Sequence, residues 1–157
     1  MPERGDPGPA ADDSRWADLA DLILIIAREI QFRGYQDPEA VPLTQSEGMV
    51  MRFLQDHPGA APSQIATATG LQRTNLSAVL RGLERKGLVQ RRTSTDDLRG
   101  ATIHPTERGR HNYALVRQEW ASAVSDAASH DTSGLDATLT LLRDIQAGLT
   151  ATRPAAP

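Results

Sequence analysis

The residues best suited to chemical recognition lie on one face of a predicted helix over about residues 73–86. On one side of this helix, apolar residues recur at the i, i+3, i+4 and i+7 spacing, from Leu76 to Leu83. The other side carries amide, hydroxyl and guanidinium groups, which can form hydrogen bonds with base edges in a DNA major groove. The candidate base-contacting residues are Gln72, Arg73, Thr74, Asn75 and Ser77.

Basic residues continue beyond this face into the segment that follows the helix. Residues 72–111 contain nine basic and four acidic residues, a net charge of +5, whereas the rest of the chain carries −8 and the whole chain −3. A local positive field of this kind is typical of nucleic-acid binding. The predicted phosphate-neutralising residues are Arg81, Arg85, Lys86, Arg91 and Arg92.

A polar turn joins two short predicted strands, residues 88–93 and 101–104, and carries a further arginine. Arg99 lies at the tip of this hairpin, where a guanidinium can enter a narrow minor groove and favour A·T-rich flanks. Asp97 is placed to hold that side chain extended through a charge-assisted hydrogen bond. Arg99 and Asp97 complete the predicted DNA-contacting set, and the alternative is a surface arginine in a weak ion pair with Asp97 or Asp96.

Two further helices precede this one, and the three together must position the polar face. Thr44 and Glu47 form a T-x-x-E capping box that begins a helix ending near residue 57. A short helix follows over residues 62–69, and Gly70 ends it in a tight turn. Three helices followed by a basic hairpin match the order of a winged helix-turn-helix.

Composition and length fit one domain with a sizeable core. The chain has 157 residues, 39% of them hydrophobic and 4% aromatic, and no cysteine, which excludes disulfides and thiolate metal sites. It shows no bilayer-spanning apolar run and no signal peptide, so we expect no membrane partner and a cytoplasmic protein.

The predicted division is a disordered tail (1–13), an N-terminal dimerisation helix (14–34), a winged DNA-binding region (35–106), two C-terminal dimerisation helices (107–150) and a flexible tail (151–157).

The terminal helices carry more apolar surface than one small chain can easily cover. Residues 22–27 are all apolar, and a helix that is hydrophobic on every side must be covered on several sides. A second copy of the chain is the simplest cover, and the alternatives are a central helix within one chain or a membrane-surface helix. The predicted dimerisation residues are Leu19, Leu22, Ile23, Ile26, Trp120, Leu139, Leu142, Ile145 and Leu149.

Four short motifs in these elements are similar to those of a known family. They are Q-I-A at 64–66, G-L at 70–71, L-E-R-K-G-L-V at 83–89 and, most specifically, D-L-R-G-A-T-I-H-P-T-E-R-G at 97–109. The chain thereby resembles the MarR family of bacterial transcriptional regulators over about residues 14–150. The resemblance implies a mainly α (α+β) winged helix-turn-helix of six helices with a two- or three-stranded β-wing. It also implies a homodimer that reads a palindrome, with Arg99 as the wing arginine and Asp97 as its support.

Two residues depart from the pattern of this family. Pro105 stands where an apolar strand residue is usual, and because proline has no N–H, we expect the returning strand to end at His104. Gly82 lies inside the third helix of the winged region, at a cost of about 1 kcal/mol relative to alanine. Neither residue belongs to the predicted DNA-facing set.

A small-molecule effector that changes the spacing of two reading heads is implied by the resemblance alone. Because the chain has no cysteine, a noncovalent ligand is favoured over thiol oxidation as the signal. Trp16 and Trp120 either pack in the dimer core, which is the preferred interpretation, or line a ligand pocket.

Other functions have weaker support in the sequence. His104, Glu107 and His111 suggest a metal site, but their spacing lacks the i, i+4 histidine pair of helical zinc sites, so we expect neither a metal nor a cofactor. The chain has no nucleophile elbow, P-loop or nucleotide fingerprint, which argues against an enzyme. The residues and the resemblance together therefore predict a regulator of double-stranded DNA, and the resemblance implies that it is a ligand-responsive repressor. The alternative is a winged-helix module that binds proteins without reading DNA.

Overall fold

Helices dominate the structure, a computed structural model that describes residues 11–93 and 100–154. The chain divides after Gly34 into two compact units. Over the described residues, these units contain six helices and two strands. None of the described helices combines the length and the apolar character needed to cross a membrane.

Within residues 11–34, the part of the first unit that is described, there is one helix, α1 (Ala11–Phe32). It begins earlier than the sequence predicted, because residues 11–13, assigned to the tail, already belong to the helix. Between Pro9 and Gly34 the sequence has no proline or glycine, so nothing prevents the helix from extending in the N-terminal direction. The rest of the predicted tail, residues 1–10, lies outside the described residues.

The second unit begins at Tyr35 and carries the other elements in the predicted order. They are α2 (Gln45–Asp56), α3 (Pro62–Thr69), α4 (Arg73–Arg85), β1 (Val89–Thr93), β2 (Ala101–Pro105), α5 (Glu107–Ala127) and α6 (Leu135–Ala151). The predicted mainly α winged helix-turn-helix is confirmed, and within the described ranges its sheet has two strands.

Local sequence signals set the ends of α2 and α3. Thr44 Oγ1 accepts a hydrogen bond from Glu47 N at 3.1 Å, and Glu47 Oε2 accepts one from Thr44 N at 2.9 Å. The predicted capping box is therefore confirmed. Pro62 occupies the first turn of α3, and Gly70 ends this helix with a φ of 73°, a left-handed conformation that glycine adopts without strain.

The two strands form an antiparallel hairpin in which β1 begins one residue later than predicted, at Val89, and β2 ends one residue later. Pro105 pairs with Val89, so β2 does not end at His104. Proline is tolerated because it is the last residue of the strand, where no further ladder donor is needed. The next N–H group, that of Thr106, donates to Leu88 O at 3.0 Å, so the residue after β2 is still bonded to the residue before β1.

The core of the second unit is built from α2, α3, α4, the hairpin and the first half of α5. Helix α4 contributes Leu76, Leu80 and Leu83, each at most 2% exposed. Ile103 of β2 is fully buried and forms a bridge with Ala60 in the loop after α2. The other fully buried large side chains are Val50, Met51, Leu54, Ile65, Leu88 and Val116.

Two polar side chains of α5 hold the loop that precedes α2. Asn112 Oδ1 accepts from Val41 N at 2.7 Å, and Asn112 Nδ2 donates to Val41 O at 3.0 Å. The two carboxylate oxygens of Glu119 accept from the backbone N–H groups of Gln36 and Asp37, each at 2.9 Å. These bonds satisfy backbone groups of the loop and fasten it to α5.

We predict that Gly109→Ala strongly destabilises the second unit. A Cβ atom at residue 109 would overlap the carbonyl oxygen of Leu88, a backbone atom that cannot rotate away. We expect the free energy of unfolding to fall by about 3 kcal/mol, measured by urea denaturation followed by circular dichroism. His111→Ala, at an exposed position of the same helix, is the control and should change it by less than about 0.5 kcal/mol. Wild-type stability of Gly109→Ala would contradict this close packing.

Candidate nucleic-acid interface

Helix α4 presents the predicted polar face to solvent. Its leucines point into the core, so residues on the opposite side of the helix must be exposed. The structure brings the five candidate base-contacting residues together as exposed positions at the N-terminal end of this helix: Gln72, Arg73, Thr74, Asn75 and Ser77.

Two of these residues have a defined local geometry. Gln72 is the N-cap residue of α4, and its backbone oxygen accepts from Leu76 N at 2.8 Å, but its side chain makes no capping hydrogen bond. The Ser77 hydroxyl donates to Arg73 O at 2.9 Å and keeps its own lone pairs as acceptors. Neither contact uses the side-chain amide of Gln72 or the lone pairs of the Ser77 hydroxyl. Both groups are therefore suited to bind an external partner.

Strand β1 adds basic side chains next to α4, against which it packs. Arg91 and Arg92 are exposed, as is Arg81 on α4. Arg91 Nε lies 3.5 Å from Glu84 Oε1, but an ion pair between two such solvent-accessible side chains contributes little stability. These arginines are therefore accessible to an anionic partner at small cost.

Lys86 differs from the sequence prediction of a phosphate contact. Its Nζ lies 2.6 Å from Glu47 Oε2 and donates to Pro42 O at 2.8 Å. Its charge is thus neutralised within the protein, and the side chain links the end of α4 to the start of α2. The sequence signal identified Glu47 only as a capping residue, because a partner 39 residues away leaves no local pattern. Arg85 remains exposed.

The glycine inside α4 is explained by the same carboxylate. A Cβ atom at Gly82 would lie 2.9 Å from Glu47 Oε1, closer than Cβ atoms approach neighbours in real structures. The absence of a side chain at this position provides the space that the carboxylate occupies. The helix-propensity cost of Gly82, noted from the sequence, is therefore the consequence of a contact between two helices.

The turn between α3 and α4 is contacted by an arginine from the C-terminal end of the chain. Arg153 Nη1 donates to Thr67 O at 3.2 Å, and a Cβ atom at Gly70 would lie 2.7 Å from Arg153 Cζ. A cation at this place suits the negative end of the α3 dipole. The sequence interpretation assigned Arg153 to the flexible tail, whereas the structure places it on the helix-turn-helix.

The tip of the wing is not part of the described structure. Arg99 and Asp97, the predicted minor-groove residues, lie outside the described residues, which stop at Thr93 and resume at Gly100.

A histidine lies at the base of the wing, on β2. His104 Nε2 is 3.1 Å from Thr102 Oγ1, and its ring packs close to Gly59, where a Cβ atom would lie 2.9 Å from His104 Cε1. Burial in the first place, and the positive charge of Arg92 in the second, lower the pKa of His104 from its ordinary value of 6.5. The fold therefore favours the neutral imidazole.

His104, Glu107 and His111 do not form a metal site. His104 belongs to β2, whereas Glu107 and His111 belong to α5. Over residues 11–93 and 100–154, no group of three or more histidines or carboxylates could hold a metal ion.

The predicted dimerisation residues of α1 are mostly exposed in the single chain. Leu22, Ile23 and Ile26 are 54%, 37% and 50% exposed, respectively, and Leu19 is half-buried. Trp16 in the same helix is 56% exposed. Isolated apolar side chains are common at protein surfaces, but a contiguous exposed run of this kind marks an interaction surface.

The C-terminal helices are also incompletely covered. Helix α6 has no buried residue: Leu139 and Leu149 are exposed, and Leu142 and Ile145 are half-buried. On α5, the half-buried Trp120 has a buried Nε1 atom that finds no hydrogen-bond acceptor within the described part of the chain.

A helix-turn-helix with an exposed polar recognition helix, followed by a basic hairpin, defines a winged helix-turn-helix DNA-binding protein. The MarR family model matches residues 43–100, which include α2, α3, α4 and β1. Over this segment the chain is similar to the MarR family of transcriptional regulators.

Two curated relatives are transcriptional regulators by description. The chain is 24% identical over 125 residues to an uncharacterized HTH-type transcriptional regulator, YybA, of Bacillus subtilis (strain 168), covering 80% of this chain and 83% of that protein. It is 30% identical over 106 residues to a putative transcriptional regulatory protein for the hcr operon of Thauera aromatica, covering 59% of this chain and 64% of that protein.

Solved structures share the fold. The transcriptional repressor CouR, bound to a 23-mer DNA duplex, is 26% identical with a TM-score of 0.63, covering 82% of this chain and 89% of that chain. NadR in complex with 4-hydroxyphenylacetate is 21% identical with a TM-score of 0.63, covering 98% of this chain and 100% of that chain.

We predict that His104 makes the stability of the second unit depend on pH. Because its pKa is lower in the folded state than the ordinary value of 6.5, the unfolded chain binds more protons as the pH falls through that value. The free energy of unfolding should therefore decrease between about pH 7.5 and pH 5.5, and His104→Gln should remove part of this decrease. Urea titrations across this range measure it, with His111→Gln as the control. An identical pH dependence in His104→Gln and the wild type would contradict the assignment.

Proposed function

We propose that two copies of the chain bind a palindromic operator in double-stranded DNA, each with α4 in the major groove and Arg99 in the flanking minor groove. We further propose a cytoplasmic repressor that a small-molecule effector releases from DNA. The observation that carries this proposal is the exposure of five polar residues at the N-terminal end of α4, a helix whose leucines are buried.

The dimensions of α4 suit the major groove. Its 13 residues span about 20 Å, and a groove about 12 Å wide admits a helix whose N-terminal residues contact base edges. Arg73 is suited to bind guanine through two donors, and Asn75 to bind adenine through a donor and an acceptor. Gln72, Thr74 and Ser77 can bind either bases or phosphates.

Exposed arginines beside this face supply the electrostatic part of binding. Arg81, Arg91 and Arg92 are exposed, and the surface ion pair of Arg91 with Glu84 can be exchanged for a phosphate contact at small cost. The segment 72–111 has a charge of +5, and the charge of −8 on the remainder disfavours binding of DNA to other faces. Arg99 and Asp97 are assigned to the wing tip by the D-x-R motif.

Two symmetric recognition helices require half-sites about 10 bp apart, centre to centre, to occupy successive major grooves on one side of the duplex. The exposed apolar residues of α1 and the uncovered face of α6 support a dimer, because each would be removed from water by a second copy.

A noncovalent effector is the proposed signal. The chain has no cysteine for a thiol switch, and NadR, which shares the fold, was crystallised in complex with 4-hydroxyphenylacetate. CouR, a repressor bound to DNA, supports the direction of regulation. The buried Trp120 Nε1, which finds no acceptor among the described residues, is a candidate donor to such a ligand.

Selection of duplexes from a randomised library, followed by titration, tests the groove assignment. We expect Arg73→Ala and Asn75→Ala each to weaken binding of the selected duplex by about 1–3 kcal/mol and to relax base preference at one position. Arg92→Ala should weaken all duplexes alike and lower the salt slope by about one. Arg99→Ala should relax the A·T preference of the flanks.

Arg143→Ala removes an exposed arginine outside the basic segment and is the control for these substitutions. If the wild-type protein selects no sequence, and its binding to DNA is weak with a shallow salt slope, the groove assignment is wrong and the protein-binding module is favoured.

We predict that Ile26→Glu dissociates the homodimer. Ile26 is 50% exposed in the single chain, so a carboxylate costs little there, but burial of that charge between two copies should weaken the dimer at least about 100-fold. Sedimentation equilibrium measures the change, and Gln31→Glu, which adds the same charge at an exposed position of α1, is the control. A wild-type protein that remains monomeric at micromolar concentrations would disprove the dimer.

A further inference from the structure

Glu47 of α2 has a buried carboxylate that contacts α4. It lies in the first turn of α2 and is 5% exposed. Its Oε2 accepts hydrogen bonds from Thr44 N at 2.9 Å and from Lys86 Nζ at 2.6 Å. A buried charge is unfavourable unless it is paired and hydrogen-bonded, and this one has both kinds of partner.

The same carboxylate meets α4 at two positions one helical turn apart. Lys86 is the C-cap residue of α4, and Gly82, four residues earlier, provides the space occupied by Oε1. Residues i and i+4 lie on one face of a helix, so two contacts at this spacing restrict both the rotation of α4 and its shift along its axis. Lys86 Nζ also donates to Pro42 O at 2.8 Å, which fastens this end of α4 to the loop before α2.

This end of α4 lies opposite to the end that carries the polar face. Arg73 precedes Gly82 by nine residues, or about 13 Å along the helix axis. A tilt of about 5° at Gly82 would therefore displace the Arg73 end by about 1 Å, enough to disturb a hydrogen bond with a base.

We propose that Glu47 is a positioning residue for DNA recognition, which fixes the orientation of α4 through Lys86 and through the space at Gly82. This inference rests on the proposed function, since it concerns the helix assigned to the major groove. It also gives Lys86 a role different from phosphate contact, and the two roles predict opposite effects of neutralising Glu47.

Neutralisation of Glu47 separates the two roles. Glu47→Gln keeps the size of the side chain and removes its charge. If Lys86 contacted phosphate, loss of its partner would release the ammonium and tighten DNA binding. If Glu47 positions α4, the same substitution weakens binding of the selected duplex, by roughly tenfold, and leaves the salt slope unchanged.

The titrations use the duplex of highest affinity selected by the wild-type protein, at a temperature where circular dichroism shows every variant to be folded. Glu39→Gln makes the same change of net charge at an exposed position before α2 and should bind as the wild type does. Lys86→Met should also bind roughly tenfold more weakly with an unchanged salt slope, whereas a slope lowered by about one would identify a phosphate contact.

A double-mutant cycle tests the contact at Gly82. Gly82→Ala should weaken operator binding roughly tenfold in the wild-type background, because its Cβ atom displaces the carboxylate, although alanine favours helix formation. In the Glu47→Ala background, where no carboxylate occupies the space, Gly82→Ala should cause no further loss. Equal effects in both backgrounds would overturn the proposed contact.

The outcomes distinguish failure of this proposal from failure of the proposed function. If the wild-type protein selects a duplex but Glu47→Gln binds it as tightly as Glu39→Gln, the positioning role is wrong and the DNA-binding function stands. If the wild-type protein selects no duplex, the proposed function is wrong, and the positioning role fails with it.

Discussion

Burial of the apolar side of α4 is the interaction on which the rest of the structure depends. Leu76, Leu80 and Leu83 are at most 2% exposed, and complete burial of a leucine side chain stabilises a fold by about 1.5–3 kcal/mol. Because all three belong to one side of the helix, a large rotation of α4 would bring them into water. The polar side of the same helix must therefore face solvent, where a DNA groove can reach it.

Apolar burial has little directionality, so polar contacts are needed to fix elements more accurately. Asn112 and Glu119 of α5 hold the loop before α2 through backbone hydrogen bonds. Glu47 then connects the start of α2 to Lys86 at the end of α4. A chain of directional contacts thus extends from α5, through the loop and α2, to the helix that carries the candidate base-contacting residues.

The division of charge connects this architecture to function. A chain with a net charge of −3 nevertheless concentrates +5 on the segment that includes the recognition helix and the hairpin. Structures that share only 21–26% of their residues with this chain have the same fold, because a fold requires a pattern of buried positions and tolerates many residue types there. Recognition of a particular DNA sequence depends instead on the exposed side chains, which the fold does not specify.

The sequence by itself determined the features that depend on residues a few positions apart. These are the capping box at Thr44, the left-handed turn at Gly70, the apolar periodicity of α4 and the order of helices and strands along the chain. Two boundaries differ from the prediction, the start of α1 and the end of β2 at Pro105, because helix and strand ends depend on weak local preferences.

Only the tertiary structure decided the contacts between distant residues. By residue type and position, Lys86 was predicted to contact phosphate, but it is paired with Glu47. Gly82 lowers the helix propensity of α4, but its missing side chain leaves space for that same carboxylate. Arg153 has the sequence context of a tail but contacts Thr67, 86 residues away. Spacing along the chain carries no information about such partners, because they meet only after the core has packed and brought their helices together.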